Sequence, residues 1–318
     1  MTARTSDCTV GIDLGGTNLR VAVVSRAGTI VEERRRSSPQ QFDALLEALV
    51  TEVQAVWGAG SPLAVGVGAA GLVDRTGMVH YAPNLTALSG VPLAAVLRER
   101  LGVPVVVDND ANAAAWGEVC HGAARGRRDV LVVTLGTGVG GGIVLDGQVV
   151  RGAHGFAAEI GHWQIDPQGP RCACGERGHW EAMASGSALG RLAQARAATG
   201  SAPDILARAA GVVDAITGLH VGASAKAGAR DGLAVLDEYA DVVALGFVGL
   251  VNILDPELIV VSGGLVELGD LLLDPVRRSF ATHIEGAAKR PPVPVVPAEL
   301  GERAGIVGAA ALARELAS

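Results

Sequence analysis

Apolar and polar positions along the first 150 residues follow two different periods. Short apolar runs predict strands at residues 9–12, 19–24, 29–32, 63–67 and 104–107. Leucines and valines at helical spacing predict helices at 41–57 and 93–101, and an alanine-rich helix is expected from near Asp110 to about Cys120. Strands joined by helices in this way are typical of an α/β fold.

A similar pattern returns after residue 126. Strands are predicted at 130–135, 142–145, 258–261 and 293–296, with a hairpin turn at Asp146-Gly147 and a further strand beginning at Val149. Helices dominate from Ser187 onward, and the predicted ones are 233–254, one near 268–280, and 306–316. We therefore expect two α/β domains flanking a cleft, at 1–125 and 126–318. The last helix is a candidate to pack back on the N-terminal domain.

Composition excludes several classes of protein. Hydrophobic residues make up 49% of the chain, which is too many for a disordered protein. The net charge of −7 argues against nucleic-acid binding, and the basic run Arg34-Arg35-Arg36 is interpreted as a solvated strand end. Lysine occurs only at Lys226 and Lys289, so anionic ligands are expected to be held by backbone N–H groups and a metal ion.

The chain shows no sign of a membrane or secreted protein. Its longest uncharged stretches contain prolines and several glycines, so no membrane-spanning helix is expected. The first ten residues lack the apolar run of a secretory signal. Four cysteines are too few for a disulfide framework in a chain of 318 residues. A cytoplasmic protein is therefore expected.

The 44 glycines include three clusters, and each follows a predicted strand. They are Gly15-Gly16 after Asp13, the segment 136–142, and Gly263-Gly264. Ligands of α/β proteins bind at strand ends, where glycine lets backbone N–H groups converge on an anion.

The second cluster matches G-x-G-x-x-G, but a dinucleotide fingerprint must open a helix, whereas a strand and a turn follow here. No P-loop motif occurs, because neither lysine follows a glycine. Two glycine–threonine hairpins, with Thr17 and Thr137, instead predict that a phosphate group is bound between them, with one hairpin on each side. Asp13 would then hold Mg²⁺, directly or through water. Ordinary hairpins without a ligand are the alternative.

A compact group of cysteines and histidines predicts a metal site. Cys172, Cys174 and His179 lie within eight residues, and His162 precedes them by ten. Two thiolates and two imidazoles complete tetrahedral coordination of Zn²⁺, which indicates a structural site. The alternatives are a metal-free loop, or three ligands with His179 turned outward.

The segment Asp108-Asn109-Asp110 lies between a predicted strand and a helix. A carboxylate at this place could cap the helix. It could also act as a general base, since phosphoryl transfer to an alcohol needs a carboxylate that accepts the hydroxyl proton. We expect Asp108 to be structural.

Asp13-Leu-Gly-Gly-Thr17 and the segment 135–142 together resemble the motifs of the ROK family of sugar kinases, and the resemblance extends over nearly the whole chain. It implies the actin-like ATPase (ribonuclease H-like) fold, with Asp110 as the catalytic base. It also implies a nucleotide site for ATP and Mg²⁺, formed by Asp13, Gly15, Gly16, Thr17, Thr137, Gly138, Gly263 and Gly264. The sugar-binding residues implied by the resemblance are Gly71, Asn84, Asn109, Asp110, Glu159, His162 and Glu181.

The family's zinc-binding pattern is C-x-C-G-x-x-G-C with the histidine of E-x-G-H. This chain departs from it, because His179 occupies the place of the third cysteine. His162 is expected to bind Zn²⁺ through one ring nitrogen and a sugar hydroxyl through the other. Cys8 and Cys120 are expected to be buried thiols without a function.

The resemblance implies ATP-dependent phosphorylation of D-glucose at its 6-hydroxyl. Another hexose substrate remains open (mannose, fructose, allose or an N-acetylhexosamine), as do polyphosphate as the donor and a non-catalytic sugar sensor. Repressors of the family carry an N-terminal helix-turn-helix, for which a first motif at residue 13 leaves no room, so no nucleic-acid partner is expected. The family is commonly dimeric or tetrameric, which implies a homo-oligomer.

Overall fold

The structure is a computed structural model that describes residues 7–58 and 62–317, so most of the N-terminal stretch considered for a signal lies outside it. Ten α-helices are described within those ranges: α1 (Phe42–Trp57), α2 (Leu93–Leu101), α3 (Asp110–His121), α4 (Trp180–Ala184), α5 (Gly186–Ala198), α6 (Pro203–Arg208), α7 (Gly218–Lys226), α8 (Arg230–Leu254), α9 (Asp270–His283) and α10 (Ala304–Ala317). None of the helices within the described ranges is long and apolar enough to span a membrane.

Twelve strands are described in the same ranges: β1 (Thr9–Leu14), β2 (Asn18–Val24), β3 (Ile30–Ser37), β4 (Val65–Ala69), β5 (Leu72–Val73), β6 (Val79–Tyr81), β7 (Val105–Asn109), β8 (Val130–Leu135), β9 (Val139–Leu145), β10 (Gln148–Val149), β11 (Leu258–Ser262) and β12 (Val295–Pro297). They form two five-stranded sheets, β3-β2-β1-β4-β7 and β10-β9-β8-β11-β12, and a small β5-β6 sheet. The large sheets share one strand order, which explains why the apolar pattern of the sequence returns.

In the first sheet, β1 runs antiparallel to β2 and parallel to β4, which in turn is parallel to β7. Because β1, β4 and β7 point the same way, their carboxyl ends meet at one edge of the sheet. Asp13 and Asn109 lie at the carboxyl ends of β1 and β7, and Asp110 begins the helix that follows. This topology brings residues that are far apart in sequence to one edge.

Contacts between Cα atoms group the chain into two compact units that are discontinuous in sequence. Unit 1 comprises the described parts of Met1–Val130, Gly142–Ala158 and Glu299–Ser318, and unit 2 comprises Leu131–Gly141 and Glu159–Ala298. The division into domains at residue 125 stays a prediction.

Unit 1 contains α10, which packs on α3 and on β1. Small residues allow the close approach of the two helices, since a side chain at Gly308 would collide with the carbonyl oxygen of Ala113. Glu118 of α3 is fully buried, and its carboxylate accepts hydrogen bonds from the backbone of Ala123, Glu299 and Leu300. These contacts hold the C-terminal segment on the helix that begins with Asp110.

Unit 2 is built around α8. Phe247 of this helix contacts Trp180 and Phe280 edge to face, at centroid distances of 5.9 and 6.4 Å. The buried Tyr239 hydroxyl donates to the carbonyl of Ala184 at 2.5 Å. Aromatic residues are only 3% of the chain, and four of them are concentrated in this core.

One difference from the expected elements lies in the second glycine cluster, and another in β3, which was expected to end at residue 32 and runs to Ser37. We expected a strand from residue 142, but β9 begins at Val139, so Gly140, Gly141 and Gly142 lie inside a strand. Gly141 and Gly142 lack room for side chains: Gly141 faces Ile160, and Gly142 faces the backbone of Ala111. The turn itself is confined to residues 136–138.

Candidate functional site

The first glycine hairpin joins β1 to β2 in unit 1. The N–H of Gly15 donates to the carbonyl of Asn18 at 3.0 Å, and the Ser38 hydroxyl donates to the carbonyl of Gly15 at 2.7 Å. Gly16 lies against the backbone of Asn84, where any side chain would overlap the Asn84 carbonyl. The predicted phosphate hairpin and the predicted sugar-binding Asn84 are therefore neighbours.

Asp13 and Asp110 form a pair of interacting carboxyl groups in unit 1. Burial raises the pKa of Asp13 to about 6, and the negative charge of Asp110 contributes to that rise. Burial also raises the pKa of Asp110 above the ordinary 3.8. A divalent cation or a hydroxyl proton would relieve the repulsion between two such groups. The pair is therefore suited to metal binding and to proton acceptance.

The raised pKa of Asp13 gives a prediction for stability. An aspartate whose pKa is raised in the folded chain stabilises the fold when the pH is below 3.8, where the carboxyl is protonated. This stabilisation is lost as the pH rises to about 6. Near neutral pH and without nucleotide or Mg²⁺, Asp13→Asn should therefore raise the free energy of unfolding by about 1 to 3 kcal/mol. Urea unfolding at several pH values measures this. Equal stability of the two proteins at neutral pH would contradict it.

The helix N-cap at the start of α3 is Asn109, so neither of the carboxylates considered from the sequence is the cap. The Asn109 Oδ1 accepts hydrogen bonds from the N–H groups of Ala111 and Asn112 at 2.8 and 3.1 Å. Its Nδ2 donates to the carbonyl of Gly71 at 3.1 Å. One N–H of the Asn109 amide therefore remains for a hydroxyl ligand.

Gly71 and Asn109, both predicted to bind sugar, are thus joined directly. Gly71 has φ +140°, and a side chain there would overlap the carbonyl of Tyr81. Asp108, expected to be structural, is buried and forms an ion pair with Arg151 at 2.7 Å. The sequence offered no sign of this partner for Asp108.

The second glycine hairpin lies in unit 2, at residues 136–138. The Gly136 N–H donates to the carbonyl of Gly138 at 3.0 Å, which closes the turn. Glu181 touches this hairpin: its Oε2 accepts from the N–H of Val139 at 3.1 Å, and a side chain at Gly138 would collide with the same carboxylate. The predicted sugar residue Glu181 and the predicted phosphate residue Gly138 are therefore in contact.

A cavity of about 910 Å³ opens beside this hairpin within unit 2. The predicted nucleotide residues Thr137 and Gly264 line it. Gly263, the residue before Gly264, has φ +90°, and a side chain there would overlap the Leu135 carbonyl. Helices α5 and α7 and the turn after Gly263 also contribute lining residues that sequence reasoning missed, among them Arg191, Gln194, Lys226 and Glu267. Only the rarity of lysine could have singled out Lys226.

His162, Cys172, Cys174 and His179 come together in unit 2, with one donor atom of each within 4.8 Å of all the others. The His179 Nδ1 lies 3.3 Å from both the His162 Nδ1 and the Cys174 Sγ, and the Cys172 Sγ lies 3.9 Å from the His162 Nδ1. Tetrahedral Zn²⁺ with these ligands separates them by about 3.3 to 3.8 Å. The residues fit the ion, and His179 points inward.

The remaining predicted sugar residues flank this cluster. Glu159 immediately precedes the single helical turn at Ile160–His162, and its carbonyl accepts from the N–H of His162 at 3.0 Å. The Oε1 of Glu181 lies 3.5 Å from the Cys172 thiol. Because His162 directs Nδ1 to the cluster, its Nε2 lies on the opposite side of the ring. The cluster therefore lies beside the segments that carry all three residues.

Comparisons with known proteins agree over almost the entire chain. The family model described as the ROK family matches residues 9–316. A glucokinase of Streptomyces coelicolor is 42% identical over 310 residues, which are 96% of this chain and 98% of the relative. A glucokinase of Thermotoga maritima is 34% identical over 310 residues, which are 96% of this chain and 97% of that protein.

The solved structures agree as well. The crystal structure of a ROK family glucokinase from Streptomyces griseus in complex with glucose and AMPPNP matches with a TM-score of 0.83 at 40% identity. The match covers 97% of this chain and 99% of that one. The fold expected from the sequence, the actin-like ATPase fold, is confirmed. The chain belongs to the ROK family.

Proposed function

We propose that this protein is a glucokinase, which transfers the γ-phosphoryl group of ATP to the 6-hydroxyl of D-glucose. The observation that carries the proposal is the half-buried Asp110 at the start of α3, with its raised pKa, in a chain that is 42% identical to a glucokinase over 96% of its length. Its raised pKa makes Asp110 a better proton acceptor than an ordinary aspartate. Glucose and AMPPNP in the matching Streptomyces griseus glucokinase support both substrates.

Each unit supplies its own part of the reaction. In unit 1, Asp110 accepts the hydroxyl proton and orients the oxygen for in-line attack, while Asn109, Asn84 and Gly71 bind the sugar. Asp13 holds Mg²⁺, which neutralises phosphate charge when it is bound. The hairpin residues Gly15, Gly16 and Thr17 donate to phosphate oxygens.

Unit 2 contributes nucleotide and sugar contacts. Thr137 and Gly138 bind phosphate, and the adenosine would lie beside Gly263 and Gly264, of which Gly264 lines the cavity. Glu159, His162 and Glu181 hold sugar hydroxyls, which both donate and accept hydrogen bonds. His162, Cys172, Cys174 and His179 bind a structural Zn²⁺ ion, which leaves no coordination position open for water.

A coupled assay of ADP release across a panel of hexoses tests the proposal. With MgATP, glucose should give the highest kcat/KM, and the product should carry phosphate on its 6-hydroxyl. Mannose, fructose, allose and N-acetylhexosamines distinguish another kinase of the family. Sugar binding without turnover would instead establish a sensor. Polyphosphate in place of ATP distinguishes the donor.

We further propose that the protein works as a homo-oligomer, a dimer or tetramer, in the cytoplasm and without a nucleic-acid partner. The similarity to glucokinases of the family supports this. Sedimentation of the full chain with and without glucose measures its mass in solution. A monomer at assay concentration would contradict the oligomer.

A further inference from the structure

The carboxylate of Asp108 is buried and fully engaged. Its Oδ1 accepts from the N–H of Asn109 at 2.8 Å and from the Nδ2 of Asn112 at 3.0 Å, and its Oδ2 accepts from the Nε of Arg151 at 2.7 Å. Only 5% of the Asp108 side chain is exposed. One carboxylate therefore joins the last strand residue, the first turn of α3 and a distant arginine.

These partners surround the residue that we assign as the base. Asn109 caps α3, and Asp110 is the first residue of that helix, with Asn112 in the same turn. The orientation of the Asp110 side chain depends on the backbone of this turn. Asp108 accepts hydrogen bonds from this turn, and the positive charge of Arg151 pairs with the negative charge of Asp108.

The position of Arg151 is itself supported by contacts within unit 1. It follows β10, its guanidinium also donates to the carbonyl of Val149 at 3.4 Å, and Gly142 of the neighbouring β9 lies against the carbonyl of Ala111. The next residue, Gly152, accepts a hydrogen bond from the Nε of Arg75 at 2.8 Å. Arg151 is therefore held at the start of α3 by contacts on both sides.

We propose that Arg151 is a positioning residue for phosphoryl transfer, which acts through its ion pair with Asp108 to fix the first turn of α3 and the orientation of Asp110. The proposal rests on the proposed kinase function. A buried carboxylate that loses the cation paired with it takes up a proton or moves toward water. Movement toward water releases the N–H of Asn109, and protonation weakens the hydrogen bonds that the carboxylate accepts, so either change displaces the base relative to the sugar hydroxyl.

The test compares Arg151→Met, Asp108→Asn and the double variant. In Arg151→Met, kcat should fall by about 10- to 100-fold because a misplacement of about 1 Å has that effect. The KM values for glucose and ATP should stay within about threefold, since the binding groups remain. In the double variant, Asn at 108 keeps one oxygen acceptor, and the buried negative charge of Asp108 is removed together with its arginine. Its kcat should equal or exceed that of Arg151→Met.

Two further variants separate positioning from general stability. Arg151→Lys restores a cation and should recover kcat by about tenfold over Arg151→Met. Arg34→Met removes an exposed arginine that pairs with Glu52 at 2.6 Å on the outer strand β3, and it should leave kcat unchanged. Circular dichroism of each variant, at the assay temperature, reports the folded fraction.

The outcomes distinguish the two proposals. An unchanged kcat in Arg151→Met would overturn the role of Arg151, as would additive effects of the two single substitutions. A loss of kcat that matches the loss of folded protein would do the same. A wild-type protein that phosphorylates no hexose would refute the proposed function and, with it, this role of Arg151.

Discussion

Asp110→Asn should lower kcat for glucose phosphorylation by about 10²- to 10⁴-fold, the usual contribution of a general base. Asparagine has nearly the same shape as aspartate but cannot accept the hydroxyl proton. Glucose binding, measured by calorimetry, should remain. In the wild type, kcat should fall as the pH is lowered through the raised pKa of Asp110, so the acid limb should lie above 3.8. A near-normal kcat in Asp110→Asn would refute its role as base.

A matched control is available on another helix. Asp43 lies exposed in the first turn of α1, so Asp43→Asn also removes a carboxylate near a helix N-terminus. Its effect on the helix dipole is small, about 0.3 to 1 kcal/mol, and it should leave kcat unchanged. A similar loss of kcat in both variants would point to helix stability rather than to proton transfer.

His179→Ala should raise the KM for glucose by about 10- to 100-fold and lower the unfolding temperature, because it removes one of four metal ligands. Removal of the metal with a chelator should have the same two effects. The Cys/His cluster holds the segments that carry Glu159, His162 and Glu181, so these would lose their order. Steady-state kinetics, thermal unfolding and zinc content per chain measure the result.

The natural control replaces the unusual ligand by the usual one. His179→Cys provides a thiolate, so it should retain zinc and keep the KM for glucose near the wild-type value. His283→Ala removes an exposed histidine at the end of α9 and should change neither quantity. If metal-stripped protein keeps both its KM for glucose and its unfolding temperature, the structural metal is refuted.

Local signals in the sequence were sufficient for many of the elements, although α4 to α7 and the β5-β6 sheet were not predicted individually. The spacing of leucines predicted α2 at 93–101, and the apolar run at 130–135 predicted β8, and both agree with the structure. Glycine after a strand marked the hairpins correctly. These features depend on neighbours in the chain, where propensity and period act directly.

Contacts between distant segments could not be predicted from the same signals. The sequence left Asp108 and Asp110 as possible helix caps, but the cap is Asn109, and Asp108 instead pairs with Arg151, 43 residues later. The residues that line the cavity with Thr137 come from separate helices, whose order in space no local pattern encodes.

The glycine hairpins and the residues around them show what the sequence determines and what depends on the tertiary structure. The sequence by itself determined which strands end in glycine hairpins and which carboxylates lie at the ends of strands. It also determined that two cysteines and two histidines are spaced to bind one ion. The tertiary structure decided what each group touches: Glu181 against Gly138, His179 inside the cluster, and Arg151 on Asp108. The physical reason is range, since turns and periodicity are local, whereas burial and charge pairing arise only when the sheets bring distant residues together.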